Sequence, residues 1–386
     1  MLWFAQFTAI FGFSFAFPFL PLYIKSLGVA DPHELALWTG AAGGASGFAL
    51  ALLSPVWGLL ADRYGRKPML IRAMVGGGVT VGLMAFARGP LDLVFLRLLQ
   101  GAFSGTVAAT TTLVATGTPR ARVGWAMGIL SSAVALGSAV GPFAGGLAAG
   151  RIGLRNTFLA GGLLLLLAVA PVILAVREAP FQRPARGSLG VLPSLRAAGG
   201  GSLAAIAVLL AAQTLLQLAF SGAQSVIPLK LIAIVPRDTA TVTGLAFGVA
   251  GVASATAAVL YSRVAARTGY RRLAAATATL AAGALALLGV APGVALVILA
   301  TTLTGFCFGT IGPATSAMLG LEAPVAVQGR IFGLSASATA LGFALGPLLG
   351  GTMAGVVSVS VALFTTAGVA LLLGVLLSAA AREPQR

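Results

Sequence analysis

The sequence predicts an all-α integral membrane protein of twelve transmembrane helices, arranged as two pseudo-symmetric halves of six. The mean hydropathy is +1.02 and only 8% of the residues are charged, against about a quarter in soluble domains. The apolar segments have the length of membrane-spanning helices and lack the alternating pattern of a membrane β-barrel. Motifs of the first half also recur in the second at a nearly constant spacing.

Twelve apolar segments can each cross a bilayer, because a helix satisfies its backbone hydrogen bonds internally. The connection at 177–201 is the longest and is rich in Pro, Gly and Arg, which predicts a cytoplasmic linker. It separates an N-terminal six-helix bundle, 1–176, from a C-terminal one, 202–386. The predicted spans are 2–24, 35–60, 69–87, 91–117, 123–148, 155–176, 202–229, 240–262, 273–291, 294–320, 328–355 and 358–381.

The basic residues predict the orientation. If the 62–68 loop is cytoplasmic, 17 of the 24 Lys and Arg residues, among them Arg72, lie on that side and six lie on the other. This excess follows the positive-inside rule, which also accounts for the net charge of +16 without a nucleic-acid partner. We therefore expect a multi-pass protein of the plasma (inner) membrane with both termini cytoplasmic.

Two copies of one six-helix unit are indicated by the repeat. The motif Gly-x-x-x-Gly-Thr at 101–106 recurs at 305–310, an offset of 204, and a run of Pro and Gly at 119–146 recurs at 324–351, an offset of 205. Such repeats imply a pseudo-two-fold axis along the membrane normal and a binding site between the halves.

Residues for enzymatic or metal chemistry are missing from the sequence. Cys307 and His33 each stand alone, which leaves no metal cluster and no disulfide framework. The sequence has no phosphate-binding loop, no nucleophile motif and no paired membrane carboxylates. We expect no enzyme activity, no cofactor, no metal and a monomer.

A dense group of charges follows the second span, in the order Gly58-x-Leu-x-Asp62-Arg63-x-Gly65-Arg66-Lys67. This pattern resembles the loop signature of the major facilitator superfamily of transporters. Together with the length and the repeat, the resemblance covers nearly the whole chain. It implies alternating access to a site between two six-helix halves.

Three further segments refine the resemblance. Arg97-x-x-Gln100-Gly101 resembles the buried-arginine motif of the family. The run Gly-x-x-x-Gly-Pro-x-x-Gly-Gly at 137–146 resembles its antiporter-associated motif. The start of the chain, 2–7 and 17–23, is similar to the MdtG-like branch of twelve-span multidrug:proton antiporters.

The resemblance assigns gating roles to two sets of residues. Asp62 is expected to face the positive end of the eleventh span near Arg330 and to hold the halves together while the cytoplasmic side is closed. Ala266 stands at its repeat position, so the gate should be asymmetric. For the charged loop the alternative is a solvated charge cluster. For the glycines and prolines of the fifth and eleventh spans it is ordinary small-residue packing. The other residues assigned to gating are Gly58, Arg63, Gly65, Arg66, Lys67, Gly137, Gly141, Pro142, Gly346 and Pro347.

Arg97 is the strongest candidate for function. A charge within a span costs a few kcal/mol and usually serves function, and its repeat mate is Thr301. The alternatives are snorkelling to the surface or pairing with Asp92. The resemblance implies that spans 1, 4, 7 and 10 line a cavity, and its predicted substrate-binding residues are Gln6, Phe13, Phe17, Arg97, Gln100, Gln213, Gln217, Gln224 and Phe308. Hydrogen bonding between helices is the alternative role for each glutamine.

Proton coupling requires a titratable group in the pathway, and the predicted spans contain no carboxylate near their centres. Asp92 and Asp62 are the candidates. The leading interpretation is a secondary active exporter of drug-like or amphiphilic small molecules by proton antiport. One alternative is an uncoupled or differently coupled transporter of a small, for example anionic, metabolite. Another is a non-transporting or lipid-handling membrane protein.

Overall fold

The computed structural model describes residues 2–118, 122–176, 200–323 and 328–381, and every regular element in these ranges is a helix. A 3₁₀ turn at Phe17–Phe19 joins the first two helices. The helices are α1 Leu2–Ala16, α2 Leu20–Ser26, α3 Pro32–Tyr64, α4 Arg66–Met84, α5 Pro90–Phe103, α6 Thr106–Gly117, α7 Val123–Leu167, α8 Val169–Ala175, α9 Gly200–Ile234, α10 Thr239–Thr268, α11 Tyr270–Val290, α12 Val294–Glu322, α13 Gln328–Val356 and α14 Val359–Ala379.

These helices account for the twelve predicted spans. By length and composition alone, nine segments of the described ranges can cross a membrane. One of them, Trp125–Ala175, contains the fifth and sixth spans, because α7 bends at Gly153 (φ +80°) without a loop. Helix α4 is the third span, and α5 and α6 together form the fourth, which the sequence predicted as one unbroken helix. The predicted linker lies almost entirely outside the described residues.

Glycine turns and caps set the ends of the second and eighth spans. Helix α3 begins after Asp31, whose carboxylate accepts the N–H groups of His33 and Glu34 at 3.3 and 3.2 Å. It ends at Gly65, and α10 ends at Gly269, with φ values of +96° and +88° that favour glycine. We call the side of these two turns the Gly65 face and the opposite side, where α7 bends, the Gly153 face.

The two halves meet near the Gly153 face along two equivalent helix pairs. Helix α3 packs on α13, and α7 packs on α10. A Cβ on Gly44 would stand 2.9 Å from the Ala344 carbonyl oxygen, and a Cβ on Gly251 would stand 2.5 Å from the Ala139 Cα. Such close backbone contact between helices requires small residues.

The halves separate toward the Gly65 face. Gly58 of α3, Gly128 of α7 and Gly333 of α13 lie at that end of the same helices, and a Cβ on any of them would meet nothing within 4 Å. At the other end, Arg151 and Arg237, one from each half, line a cavity of about 430 Å³. Among the described residues, the close contacts between the halves therefore lie toward the Gly153 face, and we infer that the Gly65 face is the open one.

Candidate functional site

Arg97 lies within the membrane-spanning part of α5, with only 3% of its surface exposed. Its Nε donates to the Ala42 carbonyl oxygen at 3.2 Å and its Nη2 to the Ser46 Oγ at 2.7 Å, both on α3. Its Nη1 donates to the Gln100 Oε1, one turn along α5. The guanidinium is thus held by neutral oxygens, which excludes snorkelling in this conformation.

Asp92 does not pair with Arg97. Its side chain is exposed in the first turn of α5, where Oδ2 accepts the backbone N–H of Arg88 at 2.8 Å. The carboxylate therefore closes the turn that precedes α5 and leaves the buried cation to its neutral partners.

Gly101 explains why Arg97 reaches α3. A Cβ on this residue would stand 2.6 Å from the Cα and carbonyl carbon of Ser46. Only a glycine permits α5 to approach α3 this closely, and the approach brings the Arg97 guanidinium to Ala42 and Ser46.

Phe17 joins Arg97 to the opposite half. The Arg97 guanidinium carbon lies 4.3 Å from the centroid of the Phe17 ring, in a cation–π contact. The same ring lies 6.2 Å from the Phe343 ring of α13, with an interplanar angle of 30°. Phe17 is placed for this by the 3₁₀ turn that interrupts the first span. Phe343 was not among the binding residues predicted from the sequence.

The fourth span is interrupted immediately after this site, at Ser104–Gly105. Gly105 has φ +128°. Arg72 of α4 donates through Nη2 to the carbonyl oxygens of Phe103 at 3.3 Å and Ser104 at 3.1 Å. Arg72, which the charge pattern places on the cytoplasmic side, is half-buried against the fourth span, in contact with the end of α5.

Two pseudo-symmetric glutamines are buried between helices. The Oε1 of Gln6 accepts the hydroxyl of Thr110, and its Nε2 is buried without a partner among the described residues. Gln213 accepts the hydroxyl of Ser335 and donates to the Ser316 Oγ at 3.5 Å. Both glutamines therefore link helices within one half.

The other predicted substrate-binding residues fall into two groups: two phenylalanines that pack on neighbouring helices and two glutamines without hydrogen-bond partners among the described residues. The Phe13 ring lies against Gly77 of α4, 2.7 Å from a Cβ built there, and so points toward the third span. Phe308 packs edge-on against Phe220, with ring centroids 5.2 Å apart. Gln217 and Gln224 of α9 are half-buried, and their side chains make no hydrogen bond to the described residues. These two glutamines have donors and acceptors available for a ligand.

Comparison with known proteins decides the family. The Major Facilitator Superfamily model matches residues 2–236 and 209–386. The chain belongs to the major facilitator superfamily of transporters. It is 30% identical to the multidrug resistance protein MdtG of Rahnella sp. (strain Y9602), over 96% of this chain and 90% of that protein. It is 31% identical to a homolog of the multi-drug resistance efflux pump PmrA from Lactococcus lactis subsp. lactis (strain IL1403), over 94% and 90%.

A second set of matches is partial or structural. PmrA of Streptococcus pneumoniae serotype 4 is 42% identical over 176 residues, 46% of this chain and 44% of that protein. The human organic anion transporter MFSD10 (TETRAN) has a TM-score of 0.71 at 21% identity, covering 97% of both chains. The nucleoside transporter NupG has a TM-score of 0.77 at 14% identity, covering 99% of this chain and 100% of that one. These structures support the major facilitator fold.

The small-residue motif of this major facilitator protein contacts two neighbours. Gly137 and Gly141 of α7 face α1, where built Cβ atoms would stand 3.0 Å from Phe11 backbone atoms. Gly346 faces α9 in the same way, since a Cβ built on it would stand 2.6 Å from the Leu218 carbonyl oxygen. The prolines lie on the other side of each helix: the Pro142 carbonyl oxygen is 2.7 Å from a Cβ on Gly244, and Pro347 Cβ is 2.6 Å from one on Gly43. One motif thus serves packing within a half and contact between halves.

The predicted gate at the Gly65 face is only partly described. Lys67 donates through Nζ to the Ile173 carbonyl oxygen at 2.8 Å, and the Arg63 guanidinium lies 5.4 Å from the centroid of the Tyr64 ring. Arg66 and Lys67 have further contacts. The side chains of Asp62 and Arg330 lie outside the described set, so their pairing stays a prediction for the state in which this face is closed.

Carboxylates are peripheral in the described part of the protein. No Asp or Glu whose side chain is described is buried, and these residues contain no group of three or more His, Cys, Asp and Glu side chains able to hold a metal ion. Among the described side chains, Arg97 is thus the one charged group that is fully buried.

Proposed function

We propose that this transporter exports drug-like or amphiphilic small molecules in exchange for protons. The observation that carries the proposal is the environment of Arg97, a buried cation with neutral partners beside aromatic rings. Apolar pockets with a few convergent polar groups bind amphiphilic ligands. Gln217 and Gln224 add unpaired amides. The full-length relatives named for multidrug resistance support the same substrate class.

We further propose that the Gly65 face is cytoplasmic and that the protein resides in the plasma membrane with both termini inside. The excess of Lys and Arg in the loops of that face supports this orientation. The open Gly65 face would then admit substrate from the cytoplasm or the inner leaflet. Closure of that face and separation of the halves at the Gly153 face would release it outside.

Proton coupling is assigned to carboxylates outside the membrane centre. Asp62 lies at the face that must close, and Asp92 lies in the first turn of the helix that carries Arg97. Protonation of either would change the charge at one end of a moving helix. We propose these two residues as coupling sites and the monomer as the working unit.

A second function has one specific observation in its favour. Because Arg97 has no carboxylate partner among the described residues, a small anionic metabolite could supply the counter-charge directly. Such a protein would move its substrate without a proton gradient.

Everted membrane vesicles test the proposal. A proton gradient with an acidic lumen is imposed, and its dissipation is recorded when amphiphilic drugs are added, with empty-vector and Arg97→Ala vesicles as controls. Drug-triggered proton release by the wild type alone supports antiport. Flux of substrate that persists without a gradient rejects proton coupling and favours the anionic-metabolite transporter.

A further inference from the structure

The interruption of the fourth span leaves backbone groups that lipid cannot satisfy. Helix α5 ends at Phe103 and α6 begins at Thr106, so the last carbonyl groups of α5 lose their helical partners. Unpaired backbone groups inside a membrane cost several kcal/mol each. The break therefore persists only where other groups supply hydrogen bonds.

Every carbonyl at the end of α5 has a partner. Ser104 closes the first two: its Oγ donates to the Gln100 oxygen at 3.0 Å and its N–H to the Gly101 oxygen at 3.1 Å. The Trp57 Nε1 of α3 donates to the Ala102 oxygen at 2.7 Å. Arg72 donates to the two that remain, those of Phe103 and Ser104. Five successive carbonyls are thus satisfied without continuing the helix.

Arg72 and Trp57 also hold each other. The Arg72 guanidinium carbon lies 3.5 Å from the centroid of the Trp57 ring, a cation–π contact that is stronger when shielded from water. The cation also stands at the negative end of the α5 dipole. We call this pair the Arg72 clamp.

The second half of the protein provides an internal comparison. It repeats the same Gly-x-x-x-Gly-Thr motif at 305–310, yet α12 runs unbroken from Val294 to Glu322. At the spacing of 204, Tyr261 replaces Trp57 and Ala276 replaces Arg72. The glycines are shared, whereas the Arg72 guanidinium has no counterpart and the Trp57 indole N–H is replaced by the Tyr261 hydroxyl, so the unbroken helix accompanies the loss of the arginine.

We propose that the Arg72 clamp is a conformational device that keeps the fourth span divided into two independently packed segments. Helix α5 packs on α3 and α4 and carries Arg97, whereas α6 packs on α4, α7 and α1. The division lets α6 move with α1 and α7 while Arg97 keeps its hydrogen bonds to α3. This inference goes beyond the proposed export function and does not depend on the substrate.

Amide hydrogen exchange in lipid nanodiscs tests the proposal at the backbone. The wild-type amides of 105–108 have no helical acceptor and should exchange more than about tenfold faster than the repeat positions 309–312 in α12. Arg72→Ala removes the donors, so the carbonyls must be satisfied by a continuous helix, and exchange at 105–108 should slow by about tenfold. Gly105→Ala should do the same, because alanine disfavours φ +128°.

Two further variants complete the design. Trp57→Phe keeps an aromatic face and removes the indole N–H donor, and should slow exchange less than Arg72→Ala. Arg88→Ala removes an exposed arginine at the other end of the third span and should leave 105–108 unchanged. Equal exchange at 105–108 and 309–312 in the wild type would refute the division. Unchanged or faster exchange at 105–108 in a folded Arg72→Ala protein would refute the clamp. If that variant does not fold, unchanged or faster exchange in both Gly105→Ala and Trp57→Phe would refute it.

Discussion

Gly40 of α3 and Gly351 of α13 touch through their backbones, so that a Cβ on Gly40 would stand 2.9 Å from the Gly351 Cα. The repeat places Gly244 of α10 and Gly146 of α7 in the same relationship, at 2.8 Å. The two contacts are equivalent under the pseudo-two-fold axis. Together they join the halves near the Gly153 face, while the Gly65 face stays open.

Substitution of Gly40 by valine should force the halves apart at the Gly153 face. Overpacking of a tight contact costs about 1–3 kcal/mol, and separation of the halves relieves it. Spin labels at positions 151 and 237, which line the cavity between the halves, should move apart. Gly283→Val is the matched control, because a Cβ at Gly283 meets nothing within 4 Å. An unchanged distance in Gly40→Val would show that this contact does not set the closed state.

Ser46→Ala should weaken transport by about tenfold or more, since a hydrogen bond to a charged group is worth about 1.5–3 kcal/mol. The variant removes the 2.7 Å bond to Arg97 and leaves the arginine in place. Initial rates of substrate flux in vesicles provide the measurement. Ser337→Ala, an exposed serine that bonds only to its own helix, should transport normally. Equal rates in the two variants would remove Ser46 from the site.

Phe17 and Phe343 should be energetically coupled in the equilibrium between the two conformations. Aromatic pairs contribute about 0.5–1.5 kcal/mol beyond burial, and this pair joins opposite halves. A double-mutant cycle with leucine at each position, read from the populations of the 151–237 spin-label distance, measures the coupling. The Phe220–Phe308 pair lies within one half, so its cycle should leave these populations unchanged. A coupling near zero for Phe17 and Phe343 would contradict a role in joining the halves.

His33 should stabilise the closed Gly153 face through one hydrogen bond. Its Nδ1 lies 2.7 Å from the Gly355 carbonyl oxygen, which links α3 to α13. Loss of a net 0.5–1.5 kcal/mol, roughly one hydrogen bond, should raise the population open at that face several-fold in His33→Ala. Ser360→Ala removes a bond to Gly289 within one half and serves as the control. If both variants match the wild type in spin-label distance, the bond has no effect on the equilibrium.

The spans and the main buried charge could be predicted from the sequence because they depend on local composition. Apolar length identifies a membrane helix, and a lone charge inside one is visible in the chain itself, as at Arg97. The glycine contacts were partly predictable, since the repeat marks Gly141 and Gly346 as equivalent positions. Which helix each glycine touches depends on packing that composition does not encode.

The features that the sequence did not predict share a physical cause, because each depends on contacts made when the chain is packed. Arg72 was predicted to lie on the cytoplasmic side, but the sequence did not show its hydrogen bonds to carbonyl groups 31 and 32 residues away. The division at Ser104–Gly105 could not be inferred from a motif that also occurs in the unbroken α12. Polarity along a helix likewise did not show that Gln6 bonds to Thr110 or that Phe13 packs on Gly77. The boundaries of the two bundles stay a prediction.

Alternating access is tested most directly by measuring one distance between the halves at each of the two faces. Double electron–electron resonance is recorded on spin-label pairs at Arg151/Arg237 near the Gly153 face and at Leu59/Leu334 toward the Gly65 face, in a Cys307→Ala background. With drug and a change of pH, the first distance should lengthen while the second shortens. Distances that change in the same direction, or an Arg151/Arg237 distance that stays fixed while substrate is transported, would contradict it.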